Sequence, residues 1–476
     1  MTVIKYLTHA VWLLAGPVWA NEETSQRLWQ GLQRAQDAQV QQLLVPEEPS
    51  EAVASTAITD GDSVDDLGLA LYQAISQQRW ATVAQLLPLY EALPEHDPTL
   101  VWFAKGASAR ARGAYAEAIG AFRTILQQQP DFLRAQLELA RTLFEDQQNQ
   151  EARALFSDIA PAALTTGLSN TLEGYLAALD SREGWRGSFS LGSEYKNNLN
   201  QSSQIDLCTI MGPDGLCWAG FFASDKIRAV GTLYEATLSK RRQISGHHGL
   251  MARGMIYGST YRQEGDYNEA NGLLYAGYHY RDARRSASVL PLLTWTRYGG
   301  KMLSRAYGLR LEWQQTFTER TQLSVDLERQ QQTYVAPYEH NSGQQTSAFV
   351  TLSHELATGQ VLFGGADVVR KKTDQSVNSH QQRGLRLGAY QSWSPKFNLT
   401  VSAAFKKRQY DGYNAFLGAQ RAERELAYTA VLQWPQAQLM GFSPSLTLKR
   451  TRVNSNAAYV YNYRQNEVNL KLSHYF

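Results

Sequence analysis

The chain has 476 residues, a formal net charge of +2 and a pI near 8.3, so it is too long for one ordinary core and too close to neutral for bulk attraction to nucleic acid. Charged residues make up only 19%, against 25 Tyr and 35 Gly, and the tyrosines concentrate after Trp185, a composition that suits aromatic girdles around a barrel with a polar inner wall. No internal stretch supplies the roughly 20 uninterrupted apolar residues of a membrane-spanning helix, so any crossing has to use strands.

Lys5 precedes an apolar run from Ala10 to Trp19, and Val18-Trp19-Ala20 fits a small-x-small cleavage pattern before polar Asn21. Residues 1–20 therefore read as a secretory signal. The alternative, a membrane-anchoring helix, is opposed by the short apolar core and by Gly16-Pro17. Residues 21–66 read as an N-terminal segment and linker: a weakly amphipathic helix over Asn21–Val45, then an acidic stretch over Pro46–Asp66 with few large apolar groups.

Residues 67–183 read as helical repeats. Ala118 and Phe122 recur 34 residues later as Ala152 and Phe156, the period of a tetratricopeptide repeat. In the first copy Trp102, Gly106, Ala118, Phe122 and Pro130 stand where that repeat requires them. Small residues let two antiparallel helices approach, Trp and Phe fill the wedge between them, and Pro stops the second helix. The second copy has Leu139 and Ala140 in place of Lys105 and Gly106, with Pro161 near its end. A plain helical bundle is the alternative. A capping helix over about Leu168–Leu179 and a hinge over Ser181–Gly184 complete the region.

Residues 184–476 alternate with a period of two. About fourteen segments carry the pattern, which is that of a transmembrane barrel. Tyr307, Leu309, Leu311 and Trp313 alternate with Gly308, Arg310, Glu312 and Gln314, and Leu385, Leu387, Ala389 and Trp393 with Arg386, Gly388, Tyr390 and Ser392. Charges on the second parity are prohibitive in lipid and comfortable in a lumen. Leu273–Tyr280 and Val361–Val369 are ambiguous, with both faces apolar or small. The first link, Lys196–Lys226, is the longest, and odd links are long where even links are tight, so the helical domain and the C-terminus share the periplasmic side. The chain ends in NEVNLKLSHYF, an amphipathic strand whose terminal Phe476 suits barrel closure at a membrane interface. The expected fold is α+β multidomain: N-terminal tetratricopeptide-like repeats followed by a 14-stranded antiparallel transmembrane β-barrel. The other reading of the alternating half is a secreted β-sandwich, whose strands are shorter.

No catalytic, cofactor or metal set can be assembled. Ser193-Glu194-Tyr195-Lys196 has Ser-x-x-Lys spacing, but on a strand the Ser and Lys point to opposite faces. His354-Glu355 lacks the second His of a metalloprotease helix, and His247-His248 has no carboxylate cluster beside it. An enzyme is therefore not expected. The only cysteines, Cys208 and Cys217, flank the turn sequence Gly212-Pro213-Asp214-Gly215; in an oxidising compartment they are placed to form a disulfide, two free thiols being the other reading. Basic residues gather at Lys240-Arg241-Arg242 and at Arg281, Arg284 and Arg285, in expected periplasmic turns, either as solvated turns or as an attraction for acidic cargo at the pore mouth.

The order of parts resembles the surface lipoprotein assembly modulator (Slam) family of Gram-negative bacteria, the type XI secretion system. The residues that carry the likeness are the repeat positions, Ser193-Glu194-Tyr195-Lys196-Asn197-Asn198-Leu199-Asn200 at the end of the first strand, and Phe476; His474, where an aromatic is commoner, departs from it. The resemblance implies an outer-membrane translocator, its N-terminal domain in the periplasm, that carries surface lipoproteins or related soluble haem- or metal-acquisition proteins to the cell surface. It implies protein cargo, outer-membrane lipid and the barrel-assembly machinery as partners, and neither nucleic acid nor a cofactor. A polysaccharide-export porin, which also joins helical repeats to a barrel, is the alternative, expected to show a continuous charged track in its lumen.

Overall fold

The computed structural model describes residues 64–159, 166–357, 359–393 and 396–476. The expected signal 1–20, most of 21–66 and Pro161 lie outside the described residues. Helices pack as successive hairpins: α1 Val64–Ser76 with α2 Trp80–Glu91, α3 Pro98–Ala111 with α4 Tyr115–Gln128, and α5 Leu133–Glu145 with α6 Asn149–Asp158, followed by α7 Thr166–Glu183. α1 begins inside the expected linker, where Asp65 and Asp66 favour a helix N-terminus. α3 opens on Pro98, with the Asp97 carboxylate accepting from the Thr99 N–H at 2.8 Å. α4 stops two residues before Pro130.

Ala118, Phe122, Ala152 and Phe156 lie in one continuous core, and Phe156 stacks on Tyr175 with centroids 4.9 Å apart. Trp102 is a correction. It is 37% exposed, with the Lys105 Nζ 5.2 Å over its ring, and the wedge is filled instead by Phe103, edge-on to Phe122 at 5.7 Å. Gly106 is the point of closest approach: a Cβ there would meet the Phe122 ring at 2.8 Å. Gly106→Leu is expected to lower the stability of the helical domain by about 1–3 kcal/mol through overpacking, read as an earlier melt of the 222 nm signal; an unchanged melt would contradict this packing.

The hinge is also corrected. α7 runs unbroken through Ser181, Arg182 and Glu183, because the Arg182 guanidinium donates to the Phe144 carbonyl at 2.8 Å and to Asn149 Oδ1 at 3.0 Å and lies 3.6 Å over the Phe144 ring. Only Gly184 and Trp185 separate it from β1, Arg186–Lys196.

The barrel strands that follow are β4 Ala229–Ser245, β5 His248–Thr260, β6 Glu269–Arg281, β7 Arg285–Tyr298, β8 Lys301–Thr318, β9 Thr321–Tyr334, β10 Gly343–Ala357, β11 Gln360–Thr373, β12 His380–Trp393, β13 Phe397–Asn414, β14 Ala419–Gln433, β15 Ser443–Ser455 and β16 Tyr463–Tyr475. Each pairs antiparallel with its neighbours, and β1 pairs with both β4 and β16, closing a 14-stranded barrel. Closure leaves no edge strand, the condition for crossing lipid with strands. Parity falls as the charges demand: on β8 Tyr307, Leu309, Leu311 and Trp313 are exposed on the outer wall while Arg310 is 1% exposed inside. A separate hairpin, β2 Leu207–Met211 and β3 Cys217–Phe221, occupies the long first link, and a disulfide joins Cys208 to Cys217. Links at that end also include Val335–Ser342 and Asp374–Ser379, and the 456–462 link carries the short α8, Ala458–Tyr461. At the helical-domain end Glu319-Arg320 is tight, whereas 434–442 is long. Against the expected rule, Gly299-Gly300 makes a tight turn at the far end, with both residues at positive φ.

Candidate functional site: the lumen, its seam and its mouth

The lumen is lined by paired charges. Arg310 reaches Glu312 at 2.7 Å, Glu328 at 3.1 Å and Asp326 at 3.2 Å, and Arg386 meets Asp367 at 3.2 Å. Nearer the end away from the helices, Arg408 and Arg421 share Glu423, Lys406 meets Glu425 and Lys449 meets Glu467. All of these are buried or nearly so, so the lumen at these levels is close-packed side chain rather than open water. Alternation delivers the charges inward, and the low dielectric there makes pairing obligatory.

The seam between β1 and β16 is fastened at both ends. At one end Gly187 and Phe476 exchange backbone hydrogen bonds of 2.9 and 3.1 Å. At the other, the asparagine-rich stretch acts as a clasp: Asn197 Oδ1 accepts from the Asn466 N–H at 2.8 Å, Asn198 Nδ2 donates to the carbonyls of Ser202 and Arg464, and the Asn198 carbonyl accepts from Gln465 Nε2 at 2.7 Å. Asn200 Oδ1 then accepts from the Ile227 N–H, holding the returning end of the long link. Ser193 and Lys196 do not meet: Ser193 Oγ donates to the Gly231 carbonyl while Lys196 pairs with Glu194. His354 bonds Thr321, its partner across the β9–β10 pair, at an exposed position.

The helical domain is seated on the lumen mouth. The Gln150 N–H donates to Gln243 Oε1 at 2.9 Å, Gln150 Nε2 to the Gln243 carbonyl at 2.6 Å, and Gln243 Nε2 to the Gln147 carbonyl at 2.7 Å. Gly113, at φ +71°, lies against the Arg284 guanidinium. His247, in the β4–β5 turn, bonds Asp146 through Nε2 at 2.9 Å. The hydrogen bond to Asp146, outweighing partial burial, holds the His247 imidazole above its ordinary value. Burial pulls Arg182 down to about 10.

Because the docked state favours imidazolium, the His247 contribution to docking is complete below the ordinary imidazole pKa and is lost as pH rises through the raised docked value. Energy transfer between dyes on α5 and on a barrel turn is expected to fall as pH rises from about 5 to about 9 and to be flat across that range in His247→Gln; a wild-type response equally flat would refute the latch.

Between α6, α7 and the barrel rim lies a cleft lined by Arg182, Arg241, Arg242 and Arg281, with His247 and His279. Both basic clusters marked in the sequence thus converge on the helical domain. Arg182 and His279 are not among the residues the sequence singles out; for Arg182, the partners that bury it lie far along the chain. Among the described residues no group of three or more His, Cys, Asp and Glu side chains is arranged to hold a metal.

The sequence model described as "Surface lipoprotein assembly modifier" matches residues 185–476, and that for its N-terminal tetratricopeptide repeats matches residues 62–156. The chain belongs to this family. Among individual relatives, the "Hemophilin secretion modulator" of Acinetobacter baumannii is 34% identical over 87% of this chain and 86% of its own. "Surface lipoprotein assembly modifier 1" of Haemophilus influenzae is 27% identical over 85% and 84%, and "Surface lipoprotein assembly modifier 2" of Neisseria meningitidis serogroup B is 26% identical over 82% of each. As a surface lipoprotein assembly modifier, the chain places its barrel in the outer membrane and its helical repeats in the periplasm. The mouth carrying the repeats is the periplasmic one, and the disulfide hairpin is at the cell surface.

Proposed function

We infer that this surface lipoprotein assembly modifier is an outer-membrane translocator that captures specific exported proteins in the periplasm and delivers them to the cell surface. The observation that carries the reading is the seat of the repeat domain: a protein-binding solenoid is hydrogen-bonded to the turns of β4–β5 rather than swinging on a linker, so whatever it holds is presented to the lumen mouth. The higher identity to a hemophilin secretion modulator favours a secreted, hemophilin-like cargo. Since lumen-facing side chains are close-packed, passage requires the ion-pair lattice to rearrange or the β1–β16 seam to part. β1 has 11 residues where β8 and β13 have 18, which favours the seam. Phe476 would serve as the signal read by the barrel-assembly machinery. Polysaccharide export is disfavoured, because the lumenal cations named above are already neutralised by carboxylates instead of forming a track of one sign.

The test is surface display. In a strain lacking this chain, protease shaving of intact cells is expected to find the cargo gone from the surface and retained in the periplasm, with display restored by the full chain. Unchanged display would end the reading.

A further inference from the structure

We propose that the basic cleft between the helical domain and the barrel mouth is a docking site for a carboxylate-rich segment of the exported protein, held there between the repeats and the lumen. The proposal rests on the translocator reading and adds a site and a cargo chemistry to it.

Three observations converge on the cleft. The first is charge: among the described lining residues are four arginines, Arg182, Arg241, Arg242 and Arg281, and one carboxylate, Glu183, while Asp146 nearby is engaged by His247. Each guanidinium carries five N–H donors in a fork that fits a carboxylate. The second is His279, which is 7% exposed; its Nδ1 is bonded to Ser288 Oγ at 2.9 Å and its buried Nε2 has no partner. In the tautomer in which the Ser288 hydroxyl donates to Nδ1, the ring hydrogen sits on Nε2 and lacks an acceptor, which a carboxylate or peptide carbonyl supplies. The third is position. Arg241, His279 and Arg281 share the parity of the lumen-facing residues, whereas Tyr278, next to His279, is 41% exposed on the outer wall. Arg242, His248 and Leu250 of the same lining take the outer parity, so the cleft straddles the barrel rim. A ligand that meets α6 and α7 as well as Arg241, His279 and Arg281 bridges the repeats and the lumen mouth, which favours a segment of a protein held by the repeats as the source of the carboxylates.

The test uses the purified full chain in detergent and fluorescent hexaglutamate, with hexaserine as the neutral control. Hexaglutamate is expected to bind and hexaserine not. Arg241→Gln with Arg281→Gln should weaken binding by about tenfold or more, the scale of losing charge-assisted hydrogen bonds. His279→Gln should weaken it less, lysines at 241 and 281 should restore part of it, and the glutamine variants should keep the heat-modifiable migration of the parent chain, which shows that they fold. Equal binding of the two peptides, binding unchanged in the glutamine variants, or full competition by inorganic phosphate with no gain from glutamate to hexaglutamate would each overturn the proposal. Cargo display separates this from the parent reading: glutamine variants that display cargo normally, in a strain where deletion of the whole chain abolishes display, sink the cleft alone. Display that survives the deletion sinks the translocator.

Discussion

Replacing Arg310 by methionine is expected to destabilise the barrel by about 3–5 kcal/mol, the cost of breaking a buried ion cluster from one side. The guanidinium is 1% exposed and reaches Glu312, Asp326 and Glu328 on β8 and β9 at 2.7 to 3.2 Å, 5.4 Å over the Tyr275 ring. A planar fork can serve several carboxylates at once, which a point-charge lysine cannot, so Arg310→Lys should recover only part of the loss. Methionine keeps much of the volume and removes the charge, leaving Arg253, 3.1 Å from Glu312, as the nearest remaining cation on that carboxylate. Adding Asp326→Asn and Glu328→Gln to Arg310→Met should then raise stability again, because removing a buried cluster whole is close to neutral where removing one member is not. The readout is the temperature at which the folded, fast-migrating form is lost on a gel. An unchanged midpoint for the single variant, or no recovery in the triple one, would show that the lumen is wet at this level and that the cluster is worth little.

Where this lattice lies, the sequence was easy to read, and where it is absent it was not. On β8 and β12 a charge inside opposes an aliphatic outside, so the parity of Arg310 and Arg386 is unambiguous once lipid is assumed. On β5 to β7 the lumen itself holds an apolar cluster of Met251, Tyr275, Leu290 and Leu292, and on β11 Phe363 is buried inside while Leu362 and Val368 are exposed outside; with both faces apolar, Leu273–Tyr280 and Val361–Val369 carry no contrast to count. The repeat period located the wedge through Gly106 and Phe122 but not its second aromatic, since a template cannot tell Trp102 from Phe103 when both are apolar and adjacent. What escaped altogether depends on partners far along the chain. Arg182 stiffens the hinge by reaching Phe144 and Asn149, and His247 finds Asp146 across 101 residues of sequence. Local pattern carries the walls of this molecule, and the joint between its halves is written only in three dimensions.

Gly187→Val is expected to abolish most barrel assembly, and loss of Phe476 to do the same from the other strand. At Gly187 a Cβ would stand 2.6 Å from Phe476 Cζ and 2.7 Å from the Thr237 carbonyl oxygen. The ring is the far end of a rotatable side chain and can swing away; the carbonyl belongs to β4 and cannot. Even Gly187→Ala should therefore lower the folded fraction, with valine, whose branches crowd both strands, lower still. Removing Phe476 costs differently: the Gly187 N–H and carbonyl lose the partners they have at 2.9 and 3.1 Å, at the seam where no further strand can supply them and where lipid supplies no water. The two mechanisms separate in the double variant. If the clash with the ring were the whole problem, deleting Phe476 would relieve Gly187→Val; because the Thr237 carbonyl remains, the double variant is expected to assemble no better than either single one. Heat-modifiable migration of outer-membrane fractions measures the assembled share, and Gly187→Val assembling like the parent chain, or rescued by truncation, would contradict this account of how the barrel closes.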